Sequence, residues 1–454
     1  MRWMMPALLL LWTAPAHAGA RARDAALGSI SDHAPEVLDE QQITEQLARG
    51  LSGQLAVAAA RHPGVRADFE RWHATALAVS PVGALPDPTV EFSVFLQAIE
   101  TRTGPQRGRV GVRQAIPWPS VLTAGTEAAL EASRAAEVRF EARLLDVAMA
   151  VEEAHWALWS VRTMRAIHED HHALVEGLSG TVRGRVEVGS ASLSELQQID
   201  LEHARMMDDI ARMEEQERSV EAGLRAAIGV WSSDPVPTMD DPGGPYLPSE
   251  AAVLLEAAAM AHPFLREARH RVAAADAAVR LARGKRRPGF SVGMDWVPVG
   301  PSEHLGPAST ESGQDAWAAG VGITVPVWQK RAGDQVAAAE ALARSERADA
   351  ELHEVSTHAA LHDALARVES SGRRVATIRG TLLPQAEAAY ASLLGTYTAG
   401  TSSVAQLLLS QQALLELRLD LIAAQVTHAQ AWALLRSVCG RDVQTRRLVT
   451  NPAE

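Results

Sequence analysis

The feature that most constrains this chain is an internal duplication. His62-Pro63 follows a helical pattern that begins near Ile43, and His262-Pro263 follows another that begins at Ser249, almost 200 residues later. An Ala-rich helical stretch comes after each, at 64–80 and 264–283. Then comes a short alternating run, Val90-Glu91-Phe92-Ser93-Val94 in one half and Phe290 to Trp296 in the other. A Gly/Ser/Pro/Thr loop follows each run, at 98–108 and 298–316. A second alternating run, Arg109 to Arg113 or Ala319 to Val325, leads to Pro117-Trp118 or Pro326-Val327-Trp328. Long helical runs then reach Val188-Gly189-Ser190 in the first half and Ala399-Gly400-Thr401 in the second. Order repeated at this scale marks a fold built from two copies of one unit.

The pattern divides the 454 residues into a leader at 1–18, an N-terminal linker at 19–42, a first repeat at 43–228, a linker at 229–248, a second repeat at 249–440 and a tail at 441–454. Each repeat holds upper helices, two strands and a long helical hairpin. The leader has a short positive start, the apolar run Ala7 to Trp12 and the small-x-small site Ala16-His17-Ala18, which is the pattern of a secretory signal peptide. The linker 229–248 carries five prolines and three glycines and stops any helix. A net charge of −12 argues against a nucleic-acid binder, and the single Cys439 excludes an internal disulfide framework.

Lengths sharpen this picture. The stretch from Ser120 to about Val188 would span ~100 Å as one helix, and the return from Ser190 to about Ile228 roughly 58 Å. Residues 249–283 add about 50 Å, so two shorter helices match one long one. The second half repeats the descent from Gln329 to Thr398 and the ascent from Ser402 to Val438. On the ascents Leu407, Leu414 and Leu421 recur every seven residues, as do Ile199, Met206, Met213 and Val220. That spacing is a coiled-coil seam, although a bundle core uses the same stripe. Gly177, Gly180, Gly184, Gly372 and Pro384 read as bends in the descending helices.

The four strands alternate apolar and polar residues, as a membrane barrel strand does. Four of the tryptophans (118, 296, 317 and 328) fall at or near strand ends, where interfacial girdles form. After residue 18 no apolar run of ~18 residues offers a transmembrane helix. The reading is a mainly α fold with a small β part: a long coiled-coil barrel plus four strands per chain, which several chains must pool to close a barrel. An ordinary antiparallel sheet packed on helices, within a soluble periplasmic coiled-coil scaffold, is the alternative. No cofactor motif and no catalytic set emerge. His168-Glu169-Asp170-His171-His172 matches the His-Glu-x-x-His zinc signature, yet Val175 and Leu178 stand where the glycine and the further histidine of the longer signature would follow. His168, His171 and His172 are weak metal candidates, and a solvated helix face is the main expectation.

These motifs resemble the TolC-like outer-membrane efflux protein family. The residues that carry the likeness are the two His-Pro pairs, Gln114-Ala115-Ile116-Pro117-Trp118-Pro119, Val325-Pro326-Val327, Leu383-Pro384-Gln385-Ala386-Glu387, and Tyr397 to Ser402 followed by Leu407. The Gln114 to Pro119 run is most similar to the heavy-metal, CzcC-like branch. The resemblance implies a homotrimer with a twelve-strand barrel in outer-membrane lipid and a twelve-helix periplasmic tunnel. It implies a periplasmic adaptor (membrane fusion protein) and an inner-membrane pump, of the RND type in the heavy-metal branch, as partners, and conduction of small solutes, metal ions or, as an alternative, secreted protein. Val188, Gly189, Ser190, Ala399, Gly400 and Thr401 would be the adaptor-docking tips. Acidic positions of the tunnel constriction fall here on Gln406 and Leu409, and in the first repeat on Glu195 and Gln198, which makes Glu195 the best candidate for a charged ring.

Overall fold

The computed structural model describes residues 21–24, 26–31, 33–231, 236–238, 259–302 and 312–440. The leader 1–18 and the tail 441–454 lie outside them, as do most of the linker 229–248 and residues 249–258. The described residues divide into two compact units, one made of those within 1–34, 70–137 and 267–351, the other of those within 35–69, 138–266 and 352–454.

The elements run in the order α1 (Glu40–Leu47), α2 (Leu51–Arg61), α3 (Pro63–Leu77), α4 (Val79–Gly83), β1 (Thr89–Thr101), β2 (Gly104–Ile116), α5 (Pro119–Glu187), α6 (Leu193–Ile228), α7 (Pro263–Gly284), β3 (Gly289–Val297), β4 (Ala316–Thr324), α8 (Gln329–Thr377), a π-helical turn (Ile378–Leu382), α9 (Leu383–Thr398) and α10 (Val404–Val438). None of the described helices is long and apolar enough to cross a membrane.

The first unit is built on one antiparallel sheet of order β1-β2-β3-β4. Its register places like with like. Phe92 faces Val110, Val110 faces Trp296 and Trp296 faces Trp317, while Val90, Val112, Met294 and Ala319 form a second row. Since side chains alternate across a strand, these rows make one continuous apolar face together with Phe290, Val292, Val321 and Ile323. The opposite face presents Glu91, Gly111, Asp295 and Ala318 in one row, with Ser93 paired to Arg109 and Gly293 to Gly320 beside it. Arg109 reaches both Glu91 (3.9 Å) and Asp295 (3.6 Å) there. The apolar face is bare: Phe92 is 76% exposed, Val321 74% and Trp317 66%. The expected loop at 98–108 is instead mostly strand, because β1 and β2 pair down to a turn at Arg102-Thr103, past a register shift between Val94 and Ile99. Gly108 permits that pairing, since a Cβ there would lie 2.8 Å from the Ser93 carbonyl oxygen.

In the second unit the duplication reappears as geometry. A residue before proline is kept out of the α region, so α2 ends at Arg61, His62 is extended (ψ 124°) and Pro63 opens α3. The imidazole Nδ1 of His62 accepts from the Gly64 N–H, and that of His262 from the Phe264 N–H, each at 3.1 Å. Against each His-Pro pair packs the glycine that ends an ascending helix, Gly229 (φ 82°) on His62 and Gly440 (φ 63°) on His262. An added Cβ would meet the His62 Cα at 2.8 Å or the Pro263 Cδ at 2.7 Å. Only glycine serves there, for its dihedral and for its size.

The two hairpins pack through the seven-residue stripes. Ile199, Met206, Leu407 and Leu408 are buried in one cluster with Val175, Val182, Tyr397 and Val404. A second cluster joins Leu361, Ala364 and Val368 to Ala431, Trp432 and Leu435. The glycines expected at bends all lie within continuous helix: Gly177, Gly180 and Gly184 fall in α5, which runs for 69 residues, about 100 Å. Gly372 likewise sits within α8, with the His428 ring 3.2 Å from where its Cβ would be. The irregularity in the second descent is the π turn just before Pro384, where a missing N–H must be absorbed.

Candidate functional site

The two hairpin tips are the candidate site, and they are built alike. Gly189 (φ 74°) and Gly400 (φ 79°) end α5 and α9 in the left-handed region, with open space around both. The next amide closes a six-residue loop, Ser190 N–H to the Arg185 carbonyl (2.7 Å) and Thr401 N–H to the Thr396 carbonyl (3.0 Å). The hydroxyls of Ser190 and Thr401 donate to the same two carbonyls. This is a Schellman end, which satisfies carbonyls that a helix terminus otherwise leaves without donors.

The returning helices start on matching capping boxes. The Ser192 hydroxyl accepts from the Glu195 N–H, and the Glu195 carboxylate accepts from the Ser192 N–H. Ser403 and Gln406 repeat the arrangement. Glu195 and Gln406 are thus engaged in closing their own hairpins, while Gln198 is exposed. The signal for this was legible as Ser-x-x-Glu and Ser-x-x-Gln. The tips differ in surface. Val188 and Leu193 are 77% and 61% exposed, whereas Val404, which occupies the Leu193 position of the second repeat, is fully buried. Between the hairpins the Arg185 guanidinium lies over the Tyr397 ring, 5.1 Å from its centroid, a contact that neither motif announces.

The histidine motif is not the solvated face that its charges suggested. His168 and His171 are each only 6% exposed. His171 is pushed down to about 4, first by burial, then by His168 and the Arg418 guanidinium. Burial, with Arg212 second, also lowers His168. The His172 ring meets the His203 ring in a tilted contact, 4.5 Å between centroids. Among the described residues no group of three His, Cys, Asp or Glu side chains is arranged to hold a metal ion. The outcome follows from helix period: His168, His171 and Val175 share the stripe that packs into the seam.

A further buried histidine escaped the motif search. His428 accepts from the Trp432 indole N–H at Nε2 (3.1 Å) and meets the Ser371 hydroxyl at Nδ1 (2.9 Å). Ser371 donates to the Arg367 carbonyl, so the bond pattern assigns the Nδ1–H tautomer and a neutral ring. Burial lowers its pKa accordingly.

Residues 254–441 match the family model described as outer membrane efflux protein. No curated protein matches by sequence. Among solved structures, the chain is similar to CusC, at 16% identity and a TM-score of 0.72, over 87% of this chain and 92% of that one. VceC of Vibrio cholerae aligns at 18% identity and a TM-score of 0.71, over 86% and 96% of the two chains. The open-state MtrE channel of Neisseria gonorrhoeae aligns at 16% identity and 0.68, over 86% and 88%. The second repeat thus matches the outer membrane efflux protein model by sequence, and nearly the whole chain shares the fold of solved outer-membrane channels.

Proposed function

We propose that three copies of this chain form the outer-membrane exit duct of a tripartite efflux system, which conducts small solutes or metal ions from the periplasm to the exterior. The observation that carries the reading is the sheet: four strands, two unpaired edges and one bare apolar face. Such a sheet is unstable in water and in lipid alike until its edges are paired. Copies joined β4 to β1 would supply twelve strands, an even number within the range of outer-membrane barrels. The apolar face would meet lipid. The face with Glu91, Arg109, Asp295 and the small residues would line a wet lumen.

The tips at Val188 to Ser190 and Ala399 to Thr401 are our docking site for a periplasmic adaptor, with an inner-membrane pump of the RND type supplying the energy. The open space around both glycines supports this, because the turns are free to meet a partner. Opening would then follow from an adaptor that contacts splayed tips better than closed ones. Gly189→Tyr with Gly400→Tyr should abolish efflux while leaving the protein in the outer membrane. Normal resistance in that double variant would remove the docking role. A deletion strain tested against a panel of metals and drugs identifies the cargo, and recovery of the chain as a soluble monomer would end the reading.

A further inference from the structure

The sequence holds 43 basic residues, of which only Lys285 and Lys330 are lysines, and both stand beside the sheet. Lys285, Arg286 and Arg287 lie between α7 and β3, and Lys330 and Arg331 open α8 after β4. All five are exposed. No acidic residue occurs from Arg283 to Phe290 or from Val325 to Gly333. Among the described residues, none of the five pairs with a carboxylate, whereas neighbouring Arg280 and Arg283 are tied to Glu127 and Glu340 at 2.7 and 2.6 Å.

Their placement relative to the apolar face is fixed by ring contacts. Phe290 belongs to that face, and Trp118 meets it edge-on at 5.3 Å. The Trp118 indole N–H donates to the Pro288 carbonyl at 2.7 Å, which holds the ring against the segment 285–288. The Arg287 guanidinium then sits over the Trp118 ring, 5.9 Å from its centroid, and reaches the Ser120 hydroxyl at 3.4 Å. Beside it opens a cleft of about 310 Å³ lined by Ser120, Arg280, Arg283 and Arg287 together with Glu127, whose carboxylate Arg280 holds at 2.7 Å. On the β4 side Val325, Val327 and Trp328 are 60%, 69% and 77% exposed directly before Lys330. Each cation group therefore adjoins a tryptophan at the edge of an apolar band, Arg287 against Trp118 in space and Lys330 just after Trp328 in sequence, the place where a headgroup phosphate would lie.

We propose that this collar binds the phosphates of anionic phospholipids in the membrane leaflet next to the helices. The proposal rests on the membrane reading of the sheet. Interfacial aromatics fix the depth, and unpaired cations select negative headgroups over zwitterionic ones.

The test uses the full-length protein purified in detergent with equal mole fractions of phosphatidylglycerol and phosphatidylcholine, with retained lipids counted by native mass spectrometry. The wild type should keep phosphatidylglycerol over phosphatidylcholine by roughly tenfold. The ratio should fall to near one in a variant with Lys285, Arg286, Arg287, Lys330 and Arg331 all changed to Gln, and also at ~1 M salt. A milder pair, Arg286→Gln with Arg331→Gln, should give an intermediate ratio, and Lys285→Arg with Lys330→Arg should preserve it. Equal retention by the wild type, an unchanged ratio in the five-fold variant, or displacement by millimolar inorganic phosphate would overturn the collar. A particle that keeps neither lipid and needs no detergent would overturn the membrane reading itself.

Discussion

Replacing Gly229 or Gly189 with alanine separates two demands that glycine meets in this fold. Both residues hold a left-handed φ, 82° and 74°. An L side chain in that region costs about 1–2 kcal/mol. At Gly189 nothing lies within 4 Å of the new Cβ, so the dihedral cost is the whole effect. At Gly229 the Cβ would lie 2.8 Å from the His62 Cα and 3.0 Å from the Pro63 Cδ. Backbone must move there, and overpacking adds about 1–3 kcal/mol. For a body of this size each kcal/mol shifts the melting temperature by roughly 2–4 °C. Gly229→Ala should therefore melt some 2–12 °C below Gly189→Ala when helical circular dichroism is followed at one fixed scan rate. Gly440→Ala, whose Cβ meets the Pro263 Cδ at 2.7 Å, should match Gly229→Ala. Equal melting of the Gly189 and Gly229 variants would refute the close approach as the reason for the second glycine.

Three further outcomes follow. His171, held down to about 4 in the folded chain, stays neutral while the unfolded chain takes up a proton below about 6.5, so stability is full above pH 6.5 and falls as pH drops toward 4. The linked loss is about 3 kcal/mol at most, and His171→Gln should flatten the pH dependence of unfolding between pH 6.5 and 4. Val292→Arg, on the apolar face, should cost about 2–4 kcal/mol and deplete heat-modifiable oligomer in the outer membrane. Ser291→Arg on the opposite face should not. Arg162 donates to Glu217 (2.7 Å) and to the Val236 carbonyl (2.6 Å), and so holds residues 236–238. Arg162→Met should speed limited proteolysis within 229–248 while leaving cleavage elsewhere unchanged.

Much of the fold was legible because it rests on periodicity and repetition. Leucines every seven residues at 407 and 414 marked a seam that the structure buries. Alternation in Phe290 to Trp296 likewise gave a strand with the right faces. Residues 98–108 misled, since Gly104, Pro105 and Gly108 read as loop while cross-strand pairing with Thr101, Glu100 and Val94 overrides their weak propensity. The histidines at 168 and 171 misled in another way. Charged neighbours Glu169 and Asp170 colour the segment, but a helix sorts its residues by angle, and these two rings fall on the packed side. The partnership of Gly229 with His62 had no local signal at all, because the contact joins segments far apart in sequence. Only the repeat, Gly440 on His262, would have exposed it.

Arginine supplies nearly all the positive charge of this protein, and that economy makes the two amines useful. Apart from the chain's own amino terminus, an acylating reagent finds a primary amine, the group that forms a stable amide, only at Lys285 and Lys330. Labelling kinetics would consequently report on one narrow ring of the molecule, slowing when that ring is covered and quickening when it is stripped. A built-in chemical probe of this kind needs no engineered cysteine.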